Sequence, residues 1–484
     1  MTLKDKAIDG VLWNSIGNFS ALGIEFIVGI ILARILSPKE FGLIGTITVV
    51  IALSQVFVNS GFTQAIVRKQ NCTQDDYSTA FFFNFGVGIF LFLLLFFTAA
   101  PISLFFKNIE LKPLIQVLGF GLIISSLTLI QQAKLTKRID FKLQTKISIT
   151  ASTVSGITAI YLAYSGFGVW SLVAKQLINS SISSILLWIS NRWKPSLVFS
   201  KKSFKELFGF GSKLLLSGLI GTFFQNINYL IIAKYFSSQD LGYFTRAEMF
   251  KNLPSQNVSG IVTTVGYPVL STLQDDPVRM KSVFRDMLTK TFFIIVILMA
   301  GMAATSKALI LTLVGEQWLP SVTLLQMLCV VGVMLPLNTM NINILNVVGR
   351  SDLYLKLQSI VQVVALPNIF IGVFFGIKAL ILGMIIIALF GYVIFNHEST
   401  KVLHYPIKEQ LKDVFPSLIL ALAMGLIVYF VEYFSSFSSL TTLLLQITTG
   451  MLIVVVAGEM LKVQEYIFMK TTILEKINVF YKRR

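Results

Sequence analysis

The sequence predicts an all-α polytopic membrane protein of about fourteen transmembrane helices, and three observations carry that prediction. Of its 484 residues, 55% are hydrophobic and only 13% charged, against about 45–50% and about 25% in soluble domains. Apolar stretches of about 20 residues, the length that crosses the hydrocarbon core, recur from end to end. The loops between them alternate in positive charge. A soluble chain of this length would split into domains with charged surfaces; here the solvent is lipid.

Spans are expected near 11–33, 41–62, 79–101, 114–132, 147–165 and 168–189, then near 210–233, 241–270, 288–313, 320–345, 354–375, 378–396, 414–434 and 438–458. The fourth, eighth and tenth are polar enough for a hydropathy window to miss one. Lys4 and Lys6 precede the first apolar run, as in a signal peptide. That run continues to Ala33, contains Asn14, Asn18 and Glu25, and meets no small-residue cleavage site. It reads as a retained first helix.

Orientation follows from Lys and Arg. With the N-terminus inside, the inner loops and tail hold 29 of the 40 Lys and Arg, the outer loops 7, and the spans 4. The bias alternates loop by loop, which supports the span count and places both termini in the cytoplasm. The net charge of +17 therefore faces anionic lipid headgroups and implies no nucleic acid. No outer loop is long enough for a catalytic or receptor domain. After the last span, Val463, Tyr466, Ile467, Ile473, Leu474, Ile477 and Phe480 recur at helical spacing, punctuated by Lys470, Lys476, Lys482, Arg483 and Arg484. This predicts an amphipathic tail on the cytoplasmic membrane surface.

Cys72 and Cys329 offer neither a disulfide framework nor a CxxC pair. His397 and His404 fall in one short polar segment without a ligand cluster, so no metal site is expected. No Walker A or other nucleotide-binding glycine loop occurs, and no cofactor is expected. An ion gradient, the membrane potential or substrate turnover would supply the driving force. Two negative charges moving outward across 100 mV would gain about 4.6 kcal/mol.

An internal repeat is visible at an offset of 200 residues. Ala33-Arg-Ile-Leu-Ser-Pro-Lys-Glu-Phe-Gly42 aligns without gaps on Ala233-Lys-Tyr-Phe-Ser-Ser-Gln-Asp-Leu-Gly242, matching Ala33, Ser37 and Gly42 with Ala233, Ser237 and Gly242. Glu25 falls opposite Gln225. Six spans separate the copies, an even number that preserves orientation. The expected organisation is an N-lobe over residues 1–200, a parallel C-lobe over 201–400, and an appended pair of spans with the basic tail over 401–484. Two like-oriented lobes suit alternating access.

Ionisable residues inside spans identify the candidate site. Each costs about 2.5–3.5 kcal/mol at a helix centre, so it should face a wet cavity or a partner. Lys213 lies near a cytoplasmic end and can snorkel. Lys175 and Lys251 lie deeper, and Arg246 nearer the outer end. Span eight carries Arg246, Glu248, Lys251, Asn252, Pro254, Gln256 and Asn257, a set that does not suit lipid. Glu248 and Lys251 are one turn apart and can pair; Pro254 is expected to kink the helix. Lys251, Arg246, Lys175, Asn252 and Gln256 are the candidate substrate-binding residues, with Arg246 and Lys175 expected to lack structural partners. Glu25 and Glu248 are candidates for coupling or gating. A structural hydrogen bond explains Glu25 equally well, and interhelical bonding explains Asn226, Asn228, Asn338, Asn341, Asn343 and Asn346 as well as ligand contact does. Surplus cations among amides and hydroxyls fit an anionic, hydroxyl-rich substrate. No catalytic residues are assigned.

Ala33 to Gly42, with Gly61-Phe-Thr-Gln-Ala-Ile-Val67, Leu241-Gly-Tyr-Phe-Thr-Arg-Ala247 and Gly266-Tyr-Pro-Val-Leu-Ser271, resembles the signatures of the Wzx-type polysaccharide transporter flippases. These belong to the multidrug/oligosaccharidyl-lipid/polysaccharide exporter superfamily, and the sequence is most similar to the colanic-acid and teichuronic-acid type exporters. The resemblance implies translocation of an undecaprenyl-diphosphate-linked oligosaccharide, a repeat unit of O-antigen, capsule or exopolysaccharide, across the bacterial inner membrane. It implies a cationic central cavity for the diphosphate, carried onto Arg246 and Lys251 by position. It also implies membrane lipids and polysaccharide polymerase or export proteins as partners. The appended helices resemble the pair that extends a lipid groove in peptidoglycan-precursor flippases. Two rivals differ in chemistry. A drug or cation antiporter predicts a net acidic cavity, and a glycan polymerase or ligase, an enzyme, predicts a large outer loop.

Overall fold

The computed structural model describes residues 3–434 and 437–482, with side chains described throughout except at 3–12, 14–16, 18, 473 and 476–482. The expectations for the side chains of Lys4, Lys6, Asn14, Asn18, Ile473, Lys476, Ile477, Phe480 and Lys482, and for Arg483 and Arg484, lie outside the described residues.

The chain runs through α1 (Leu3–Ile35), α2 (Pro38–Asn59), α3 (Phe62–Arg68), α4 (Gln74–Phe105), α5 (Leu111–Lys137) and α6 (Phe141–Tyr164). It continues through α7 (Val169–Asn191), α8 (Lys201–Tyr235), α9 (Ser238–Ile261), α10 (Tyr267–Ser271), α11 (Pro277–Leu313) and α12 (Ser321–Val347). It ends with α13 (Ser351–Ala365), α14 (Pro367–Phe375), α15 (Ile377–Leu403), α16 (Ile407–Phe434), α17 (Ser439–Met460) and α18 (Gln464–Lys482). Among the described residues, twelve segments, with α2–α3 and α13–α14 counted as one each, are long and apolar enough to cross a membrane. They coincide with twelve of the expected spans. The other two, one and eight, are occupied by α1 and α9, which have 33 and 24 residues. Span eight is among those expected to be polar enough to be missed, and Asp240, Arg246, Glu248 and Lys251 crowd that single helix.

Pro254 lies inside α9, and the chain then passes through a π-helical turn, Val262–Gly266, before α10. One expectation is corrected here. His397 does not share a loop with His404, because α15 runs on to Leu403 and carries His397 within its last two turns; His404 ends the helix with φ 49°.

Contacts divide the chain into two units, residues 1–242 and 243–484. In the first, Phe62, Phe81, Trp193 and Leu207 form one apolar cluster, and Val28, Leu32, Ala159 and Leu172 another. The two repeat copies start α2 and α9 in the same way. The Ser37 N–H and hydroxyl donate to Glu40 Oε2 at 2.6 and 2.9 Å, and those of Ser237 donate to Asp240 Oδ2 at 3.2 and 2.6 Å. Each cap satisfies a helix-start donor that would otherwise be orphaned. The copies also touch. A Cβ on Gly42 would overlap the Ser238 carbonyl, and one on Gly242 would overlap the Pro38 carbonyl. Between α2 and α8 a second pair repeats the device, since a Cβ on Gly61 would come within 2.5 Å of the Gly211 carbonyl oxygen, and one on Gly211 within 2.6 Å of that of Ser60. Lys69, in the loop after α3, lies 2.9 Å from both Asp76 and Glu206. Burial lowers the pKa of its ammonium, but the two carboxylates outweigh burial and leave it raised.

In the second unit, Phe284, Leu288, Met340, Ile344 and Tyr405 form the main core. The appended α16 and α17 pack on α11, with Met424 and Val428 against Ala304. Tyr405, between α15 and α16, donates its hydroxyl to Asp413; burial first, and then that carboxylate, push the phenol pKa up. The tail helix α18 docks on this unit: Val463 is buried with Phe293 and Leu420, and Lys290 sits 3.3 Å from the ring centroid of Phe468.

Candidate functional site

Helix α9 presents its charged residues to the interior of the second unit. Lys251 stands near the middle of the helix and is only 6% exposed. Its ammonium lies 3.6 Å from Glu248 Oε1, the pair expected at one-turn spacing. The other Glu248 oxygen is buried without a hydrogen bond. On the facing helix α12, Gly332 makes room for the lysine stem: a Cβ there would stand 3.1 Å from Lys251 Cγ. Arg246, 3% exposed, sits over Trp318 with its guanidinium carbon 4.9 Å from the ring centroid, and it donates to the Met249 sulfur at 3.1 Å. Asn252 is half-buried and Gln256 exposed. Thus two buried cations, with the Glu248 carboxylate between them, occupy the middle of one polar helix. The indole face beside the guanidinium replaces part of its hydration.

Lys175 belongs to the first unit, on α7. The expectation that it lacks a partner is corrected: its ammonium pairs with Glu25 on α1, at very short range. Opposite charge inside two spans of the same lobe was the one sequence signal that could have joined two residues 150 positions apart. Trp318 carried no such signal, because its turn, Glu316–Trp318, lies 72 residues from Arg246. Lys213 is exposed, in the first half of α8.

The asparagines divide. Asn338 donates to the Ala388 carbonyl at 3.3 Å, and Asn341 Oδ1 accepts from Ser399 at 2.6 Å, so both tie α12 to α15. Asn226 donates to Thr222 in its own helix. These bonds favour the interhelical reading for α12 and leave the cation-bearing α9 as the polar element to be explained.

Residues 31–323 match the family described as polysaccharide biosynthesis protein. The chain belongs to that family. It is 27% identical over 357 residues to the teichuronic acid biosynthesis protein TuaB of Bacillus subtilis, covering 73% of each chain. It is 26% identical over 435 residues to the succinoglycan biosynthesis transport protein ExoT of Rhizobium meliloti, covering 88% of this chain and 86% of that one. Its fold is that of the lipid II flippase MurJ in its inward closed conformation, with a TM-score of 0.76, 18% identity, and coverage of 93% of this chain and 98% of that one. This member of the polysaccharide biosynthesis family is a multi-span membrane protein whose most polar helix buries Arg246 and Lys251.

Proposed function

We propose that this family member is a flippase that moves an undecaprenyl-diphosphate-linked oligosaccharide from the inner to the outer leaflet by alternating access. The observation that carries the reading is the buried pair of cations on α9, Arg246 on Trp318 and Lys251 on Glu248. They outnumber the carboxylate beside them, which favours an anionic headgroup over the cationic drugs of an antiporter. Near the middle of α9, Lys251 stands where transporter sites occur. Asn252 and Gln256 add hydrogen-bonding groups on the same helix. The relatives' names, biosynthesis of teichuronic acid and transport of succinoglycan, support a glycan cargo. Lys175 and Glu25 form a separate charged pair, for which we propose a coupling or gating role.

The test is flipping in reconstituted vesicles. The wild type is expected to expose a lipid-linked oligosaccharide to an impermeant probe, and Glu25→Gln is expected to alter the pH dependence of that rate. No flipping by the wild type would end the functional reading. Unchanged flipping at every pH in Glu25→Gln would end only the coupling role.

We further infer fourteen spans in the bacterial cytoplasmic membrane, arranged as repeats over 1–200 and 201–400 with 401–484 appended, and both termini inside. The 29-to-7 division of Lys and Arg supports this orientation. Single cysteines placed near residues 140, 198, 280 and 405 should react with an impermeant maleimide only after the cells are opened. Labelling at 198 from outside would overturn the repeat as well as the orientation.

A further inference from the structure

Within the first unit, α5, α6 and α7 surround a cavity of about 250 Å³. Eight of its ten lining residues carry a hydroxyl or carboxamide and none a formal charge. They fall on one face of each helix: Thr128 and Gln132 on α5, Gln144 and Ser148 on α6, and Asn179 and Ser183 on α7, each pair four residues apart. All three helices are apolar enough to cross the membrane, so such faces are expensive against hydrocarbon unless they meet water or a polar ligand.

Much of the hydrogen-bonding capacity is uncommitted. Gln144 uses one donor on Thr136 at 3.1 Å, Thr128 donates to the Ser125 carbonyl at 2.7 Å, and Asn179 reaches Ser152 and Ser155 only at 3.4 Å. The Gln132 side chain makes no hydrogen bond among the described residues. A carboxamide offers two donors and an acceptor, which matches neighbouring hydroxyls on a sugar ring. The absence of charge in the lining disfavours a phosphate or a uronic acid. The volume falls below the roughly 300–1,000 Å³ of drug-sized sites, room for one ring rather than a whole repeat unit. The cavity also lies within about four turns of the helix ends that carry Lys134, Lys137, Arg138 and Arg192, the end at which a cytoplasmically assembled glycan would enter.

We propose that this cavity is a subsite for one uncharged sugar ring of the lipid-linked glycan. The inference rests on the flippase reading for the identity of the cargo but uses none of the residues assigned to the diphosphate. Full-length protein in nanodiscs would be titrated with undecaprenyl diphosphate and with the same lipid bearing a single glucose, galactose or N-acetylglucosamine. The wild type is expected to bind at least one sugar-bearing lipid about tenfold more tightly than the bare lipid, a difference of about 1.4 kcal/mol. Gln132→Leu and, separately, Ser183→Leu should erase that preference and leave bare-lipid affinity unchanged. Position 132 is exposed, so its variant keeps the helix packing even if the other does not fold. No preference for any of the three sugars in the wild type, or a preference that survives Gln132→Leu, would overturn the subsite. Failure of the bare lipid to bind wild-type protein would count against the diphosphate site alone, because the sugar preference is read independently.

Discussion

Lys251→Ala is expected to abolish transport, whereas Lys251→Arg keeps much of it. A phosphate can be met by a cation in many geometries, so charge at this position outweighs shape. The alanine variant alone is ambiguous, because it strands a buried carboxylate. Breaking a buried pair by removing one partner costs about 3–5 kcal/mol, and Glu248 already holds one oxygen without a hydrogen bond. The decisive variant is therefore the double one, Lys251→Met with Glu248→Gln. Replacing both partners by neutral groups of similar volume is often neutral or stabilising, so its thermal unfolding should stay close to wild type while flipping falls to background. Full flipping by the double variant in reconstituted vesicles, or restored surface glycan in a flippase-deficient strain, would reduce the pair to a packing device.

Gly42→Val is expected to be the most destructive substitution that removes no charge. A Cβ at residue 42 has to occupy the space of the Ser238 carbonyl, and a backbone carbonyl fixed by a helix start cannot swing aside as a side chain can. Overpacking costs about 1–3 kcal/mol and occasionally more; a clash with backbone belongs at the upper end. The starts of α2 and α9 must then separate, taking with them the hydrogen bond of 3.1 Å from Asn108 to Ser238. Gly242→Val meets the Pro38 carbonyl and should behave in the same way. The expected readouts are a lowered unfolding temperature and faster maleimide labelling of a cysteine at Ser238, both absent in the control Gly23→Val, where a Cβ meets nothing. Unchanged unfolding and labelling in Gly42→Val would show that the contact is not maintained in the membrane.

Much of this fold was legible before any coordinates, for one physical reason. In lipid every backbone group must be satisfied within the segment, so hydropathy and length define each helix locally and Lys and Arg define its loops. Twelve apolar segments and the polar α9 could be placed that way, and so could the one-turn pair Glu248–Lys251, because helical spacing alone brings those residues together. The paired caps at Ser37 and Ser237 were legible as a repeat for the same reason.

What tertiary structure decided is every partnership between residues distant in sequence. Glu25 and Lys175 looked like two separate costs to the membrane and are one ion pair. Arg246 looked partnerless and lies on Trp318. Asn338 and Asn341 proved to be ties between α12 and α15, the appended helices were found to dock on α11, and three unremarkable polar faces closed around one cavity. Composition and spacing determine which groups cannot face lipid, since insertion cost belongs to the residue and its depth. Which neighbour relieves that cost depends on how helices pack around one another, and that geometry is written in the contacts of many side chains at once.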